Sequence, residues 1–235
     1  MKKRIFATFI CMMLAMMIVL PGKQVRAEEE EHTIIRKETP ATAEQEGKIE
    51  YSCDVCKDYV EQTFVLPKTE ISVYMGKTAN LISDVSKCSI TLANAEKYKS
   101  YFTLDTKTGK IKTSVKKLSK VKIKKTIPVK VTVDGKTYNV NVKLKIAAPK
   151  ILIKKQSIGD SYRYSFKYNI KDATKIKVRT KNIKANKQVL DRYLKNPKSN
   201  AESYVEFPKE KVKKVKFTIN AYYGKNVSET RTITK

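Results

Sequence analysis

Between Ile127 and Ile146 the chain alternates apolar and polar residues twice over, around one Asp134-Gly135 pair. Ile127, Val129, Val131 and Val133 are separated by Pro128, Lys130 and Thr132. Tyr138, Val140, Val142, Leu144 and Ile146 are separated by Asn139, Asn141, Lys143 and Lys145. Successive side chains of a strand point to opposite faces, so a period of two describes strands with one apolar face each. Asp-Gly suits a two-residue hairpin turn, in which both central residues need φ > 0. That turn would oppose Val131 to Tyr138, Val129 to Val140 and Ile127 to Val142. A slip of one residue would set valines against Thr137, Asn139 and Asn141 and turn one strand inside out. Pattern and turn chemistry therefore predict the same register.

The same period recurs along most of the chain. Ile71, Val73 and Met75 alternate with Ser72 and Tyr74; Tyr162 to Ile170 and Val215 to Tyr223 repeat the pattern at greater length, with Ile176 and Val178 between them. Gly224-Lys225-Asn226 reads as a turn into a last strand over 226–234. Val189 to Leu194 has helical spacing and stops at Asn196-Pro197, which predicts a short helix. Pro149 cannot donate to a ladder, so Ala147-Ala148-Pro149 reads as a boundary. Short strands with one apolar face predict an all-β chain of two tandem β-sandwiches, 65–148 and 149–235. The tyrosines Tyr98, Tyr101, Tyr162, Tyr164 and Tyr168 are read as sandwich interior rather than as a stacking platform.

The amino-terminal part follows other rules. Met1-Lys2-Lys3-Arg4 is basic, Ile5 to Leu20 carries no charge, and Val25-Arg26-Ala27 ends in a small residue. This order is that of a secretory signal peptide over 1–27, cut between Ala27 and Glu28. The apolar run is shorter than the ~20 residues a spanning helix needs, so the membrane enters only through this segment. Residues 28–64 are read as a largely disordered acidic leader carrying a Cys pair: the stretch is Glu-rich early on, and 49–65 is a short helix or turn. Cys53-Asp54-Val55-Cys56 and Cys88 are the cysteines beyond the signal. Export permits disulfides, and either a local Cys53–Cys56 bridge or a bridge from one of them to Cys88 is expected.

Charge sets the range of partners. Fifty Lys and Arg oppose 23 Asp and Glu, for a net +27. A body this basic attracts polyanions through its summed field, and for an exported chain these are anionic cell-wall polymers or another extracellular protein; no nucleic acid is expected. Lysine on solvent faces also keeps strand edges from pairing. His32 is the sole histidine and lies in the leader, which excludes histidine-based triads from the body. The seven glycines stand singly, so no phosphate-binding loop is present. No catalytic residue, metal ligand or cofactor is assigned. Paired carboxylates could still run a hydrolase, the least favoured alternative.

Phe102-Thr103-Leu104-Asp105-Thr106-Lys107-Thr108-Gly109-Lys110-Ile111-Lys112-Thr113 resembles a strand–turn–strand segment of cadherin-like repeats, with Gly109 at the position of positive φ. Phe217 to Ser228 is similar to the last hairpin of a fibronectin type III domain. Together they resemble the tandem immunoglobulin-like modules of secreted and surface proteins of Gram-positive bacteria. The resemblance implies a non-enzymatic, structural or adhesive protein, secreted or held at the cell surface; a specific binder or inhibitor of an extracellular protein is the alternative. Cadherin repeats bind calcium through acidic junctions. Here the junction is Lys145-Ile146-Ala147-Ala148-Pro149-Lys150, so calcium binding is not carried over. Ile233-Thr234-Lys235 shows no sorting motif, and covalent wall attachment is not expected.

Overall fold

The computed structural model describes residues 33–55, 60–114, 118–168, 170, 172–182, 187–195, 202–210 and 214–235. Its regular structure is almost entirely β, and its buried apolar residues form two clusters. One runs from Ile49 to Ile146 and the other from Ile153 to Ala221.

The central hairpin is as the pattern predicts. Asp134 and Gly135 have φ of 49° and 72°, and Val131, Val129 and Ile127 oppose Tyr138, Val140 and Val142. These residues lie in a four-stranded sheet, together with two shorter strands. Numbered along the chain from Ile34, its members are β4 (Glu70–Tyr74), β6 (Cys88–Thr91), β9 (Thr126–Val133) and β10 (Lys136–Lys145), in the order β4-β10-β9-β6. β4 runs parallel to β10, and the other pairs are antiparallel. A smaller sheet of β5 (Thr78–Asn80), β7 (Phe102–Asp105) and β8 (Lys110–Thr113) supplies Phe102 and Ile111 to the same core. A single helical turn, α1 (Ala95–Tyr98), precedes β7, and both Tyr98 and Tyr101 are buried there. The β7–β8 turn has Gly109 at φ 64°. The Asp105 carboxylate caps it by accepting from the Lys107 and Thr108 amides and the Thr108 hydroxyl.

The acidic leader is a correction. From Thr33 onward it is ordered as β1 (Ile34–Thr39), β2 (Gly47–Cys53) and β3 (Val60–Leu66), an antiparallel sheet in that order. Ile49 and Leu66 from this sheet are fully buried in the first core. Ala41, Tyr51, Phe64 and Val65 pack against the same core, so the segment is ordered by contacts with strands that lie far along the chain. Where the sequence suggested a helix or turn over 49–65 there are parts of two strands.

The second sandwich sets β11 (Ile151–Ile158), β12 (Ser161–Tyr168) and β15 (Glu202–Pro208) against a sheet of five strands. These are β13 (Lys175–Asn182), β14 (Lys187–Lys195), β16 (Val215–Tyr223), β17 (Asn226–Val227) and β18 (Arg231–Thr234). The order is β14-β13-β16-β17, with β18 also pairing β16. Tyr164 and Phe166 cross the core to Phe217, with ring centroids 5.3 and 5.4 Å apart. Such tilted and edge-on pairs add to the burial of the rings themselves. β14 corrects the helix predicted over 189–194: it pairs with β13, and the register slips between Thr180 and Lys181. Val, Leu, Tyr and Leu at that spacing satisfy either period over so short a run, and an available edge on β13 decides for the strand. The last strand is interrupted. At Ser228 the hydroxyl, not the backbone, accepts from the Ala221 amide (3.0 Å), and pairing resumes at Arg231.

Candidate functional site

Ala27, Glu28, His32 and Cys56 lie outside the described residues. Cys53 ends β2 and is buried, while Cys88 begins β6 in another sheet. Cys88 is a free thiol, so the pairing that would engage it is not formed. Burial, with the Asp84 charge nearby, pushes its pKa up. A thiol held protonated in this way is a poor nucleophile at neutral pH. Among the described residues no three His, Cys, Asp or Glu side chains converge where they could hold a metal ion. No helix among them is long and apolar enough to cross a membrane.

Two carboxylates do come together, on the hairpin turn. The Arg36 guanidinium of β1 donates to Glu38 (3.0 Å) and to Asp134 (3.3 Å). Tyr51 donates to Asp134 (2.6 Å), and Tyr138 and Lys136 donate to Glu38 (3.2 Å each). Hydrogen bonds from Lys136 and Arg36 hold Glu38 below the usual carboxylate range, and that from Tyr51, with Arg36, does the same for Asp134. A glycosidase needs one carboxyl raised so that it can deliver a proton. Here both are lowered, so the cluster is chemically a clasp that fastens β1 to the turn.

A second convergence joins the sandwiches. The β16–β17 turn reaches the 118–125 loop of the first sandwich. Gly224 sits at φ 59°, and a Cβ there would fall 2.3 Å from the Ser119 carbonyl oxygen. Asn226 follows, only 6 % exposed. Its Nδ2 donates to the carbonyls of Leu118 (2.9 Å) and Val121 (2.6 Å), and its Oδ1 accepts from the Ile123 amide (3.2 Å). Both amide protons are thus used, as burial demands. The loop is fixed further where the Lys124 amide donates to the Tyr101 hydroxyl (3.0 Å) and the Leu144 amide to the Lys125 carbonyl (2.7 Å). On the far side the Glu229 amide donates to the Ile146 carbonyl (2.7 Å), and the Tyr74 hydroxyl to the Glu229 carboxylate (2.9 Å). Tyr223 packs against both cores.

These contacts enclose a cleft of about 600 Å³. Its charged lining is Lys122, Lys124, Lys125, Lys145, Lys225 and Glu229. The abundance of lysine is plain in the sequence, but this grouping is not. The signal for it is divided among three separate segments, and only Lys122 to Lys125 look clustered on paper.

No protein-family model matches the chain, and no characterised protein sequence does either. Among solved structures, a two-domain fibronectin type III segment of chicken tenascin is similar at TM-score 0.34 and 8% identity, over 87% of this chain and 99% of that one. The chicken interferon gamma receptor alpha chain gives 0.35 at 8%, over 87% and 97%. The human desmocollin-1 ectodomain gives 0.23 at 13%, over 88% and 49%. Likenesses at these TM-scores carry no weight for fold or function. The architecture rests on the strand pairing and the two cores.

Proposed function

We propose that this is an exported, non-enzymatic protein of structural or adhesive role, whose basic body associates with an anionic polymer of the cell wall. The observation that carries this is unneutralised charge. Lysine and arginine outnumber acids by 50 to 23. The acids in ion pairs include Glu38, Glu50, Glu70, Glu96, Asp134, Glu206 and Glu229. Most lysines therefore contribute to a long-range positive field, which attracts polyanions and weakens with salt. Export is supported by the basic, apolar and small-residue order of residues 1–27.

The test is retention on isolated cell-wall material, titrated with salt. Release by roughly 0.5 M salt supports the reading, because the Debye length is by then well below 10 Å. Retention in high salt with stoichiometric capture of one protein supports a second reading, a specific binder of an extracellular protein. Its observation is an apolar patch beside Cys53. Ile35 of β1 and Val60 of β3 are exposed, and both stand opposite Ser52 near the end of β2, so they share one face of the sheet.

A further inference from the structure

We infer that the cleft between the sandwiches is the polyanion site, and that it takes a linear chain of phosphodiester-linked polyols. This rests on the reading of the body as a wall-polymer binder and gives that reading a place on the molecule.

Elsewhere lysines such as Lys130, Lys143 and Lys216 stand singly on the outward faces of strands. In the cleft, five arrive from three segments: the 118–125 loop, the end of β10 and the β16–β17 turn. Lys122, Lys124, Lys125 and Lys225 are exposed, and none forms an ion pair with a described residue. The one acid of the lining, Glu229, is already engaged by the Tyr74 hydroxyl and lies 3.9 Å from Lys145. A concave surface with apolar walls concentrates the field of such charges. Ile123, Leu144 and Ile146 supply those walls and are buried.

The lysines are also held ready. Ile123 is pinned by Asn226, Lys124 by Tyr101 and Lys125 by Leu144, all through the backbone. Lys122 and Lys124 flank the buried Ile123 and so face outward together, at most about 7 Å apart along the chain. Binding to a preset backbone spares the ordering of the loop, and only the lysine side chains lose freedom.

The lining also selects the ligand. Among the described residues it contains no aromatic ring on which a pyranose face or a nucleic-acid base could stack. Among the described residues its cations are all lysines, so an anion is held by point charges and not by a bidentate fork. Lysines act as point charges that suit phosphate oxygens. A flexible backbone bearing one phosphate per repeat, without rings, matches this chemistry.

The experiment uses the full chain and labelled poly(glycerol phosphate), with binding followed by fluorescence anisotropy at low salt. One variant carries Lys122→Gln, Lys124→Gln, Lys125→Gln and Lys225→Gln. A control of equal charge carries Lys107→Gln, Lys110→Gln, Lys130→Gln and Lys154→Gln, all exposed and outside the cleft. The cleft variant is expected to bind about tenfold more weakly, four surface charge contacts at a few tenths of a kcal/mol each, and the control less than about twofold. Equal losses in the two variants would overturn the cleft while leaving diffuse binding intact. An unaltered chain that fails to bind the polymer would overturn the cleft's ligand, and only failure to be retained on wall material as well would overturn the function it serves. Tighter binding of single-stranded DNA of equal charge than of the polymer would overturn the assignment of the ligand class.

Discussion

Replacing Asn226 by Ala removes the three hydrogen bonds that its side chain makes to Leu118, Val121 and Ile123. The partners are main-chain groups of the other sandwich, and they do not follow the side chain away. At about 1 kcal/mol net for each bond, the loss comes to about 3 kcal/mol. The Ile123 amide reports this directly, since its acceptor is the side chain being removed. Three kcal/mol corresponds to an exchange rate for that amide more than a hundredfold faster, and native-state hydrogen exchange measures it. Urea unfolding followed by circular dichroism measures the global part. Lys225→Ala, one residue away and exposed, should change stability by less than about 0.5 kcal/mol and serves as the control. Exchange at Ile123 that rises less than about threefold, with unfolding unchanged, would show that Asn226 does not fasten the two sandwiches.

Three further outcomes follow from particular contacts. Gly224→Ala should cost at least about 1 kcal/mol more than Gly135→Ala in urea unfolding, because both have positive φ but only Gly224 meets backbone, at 2.3 Å from the Ser119 oxygen; equal costs would mean that this approach is absent in solution. Tyr164→Phe should stabilise the protein by about 1 kcal/mol, since its hydroxyl is buried with no hydrogen-bond partner among the described residues, and a loss of stability would reveal one. Glu38 and Asp134 have folded pKa values below their usual 4.5 and 3.8. Their contribution is therefore complete above those values and is lost as pH falls through the lower, folded ones. β1 should accordingly loosen from the hairpin turn in acid, below about pH 4, before the cores unfold. Amide exchange across residues 34–39 follows it, and protection that stays constant down to pH 2 would contradict the clasp.

How much was legible depended on whether an element's reason for existing was local. The β9–β10 hairpin carries its own turn, its own alternation and its own register, and the structure has all three as read. β12 and β16 alternate strongly enough to stand alone, and the Asp105–Gly109 turn contains both its cap and its glycine. β1 to β3 are different. Ile34 and Ile35 are exposed, and the segment is held by the clasp at Asp134 and by Ile49 and Leu66, with Ala41, Tyr51, Phe64 and Val65 beside them, packed on a core that other strands complete. Composition scores such a segment as disordered because the favourable contacts are with residues some hundred positions away. β14 failed for a related reason. Its short run fits helix and strand alike, and the free edge of β13 is not a property of the run.

The candidate site shows the same division. Residue content alone established a strongly basic chain, a body without histidine and strands with one apolar face, because charge and period are sums over local sequence. It could not say which lysines stand alone and which face a common cleft, since Lys122 and Lys225 are neighbours only after two sandwiches dock. Nor could it give Asn226 a purpose. An asparagine next to a turn glycine reads as turn chemistry, whereas a buried amide must find partners wherever the backbone of the whole fold provides them. Tertiary structure decided that those partners lie in the other sandwich, and so fixed the loop from which the lysines of the cleft project.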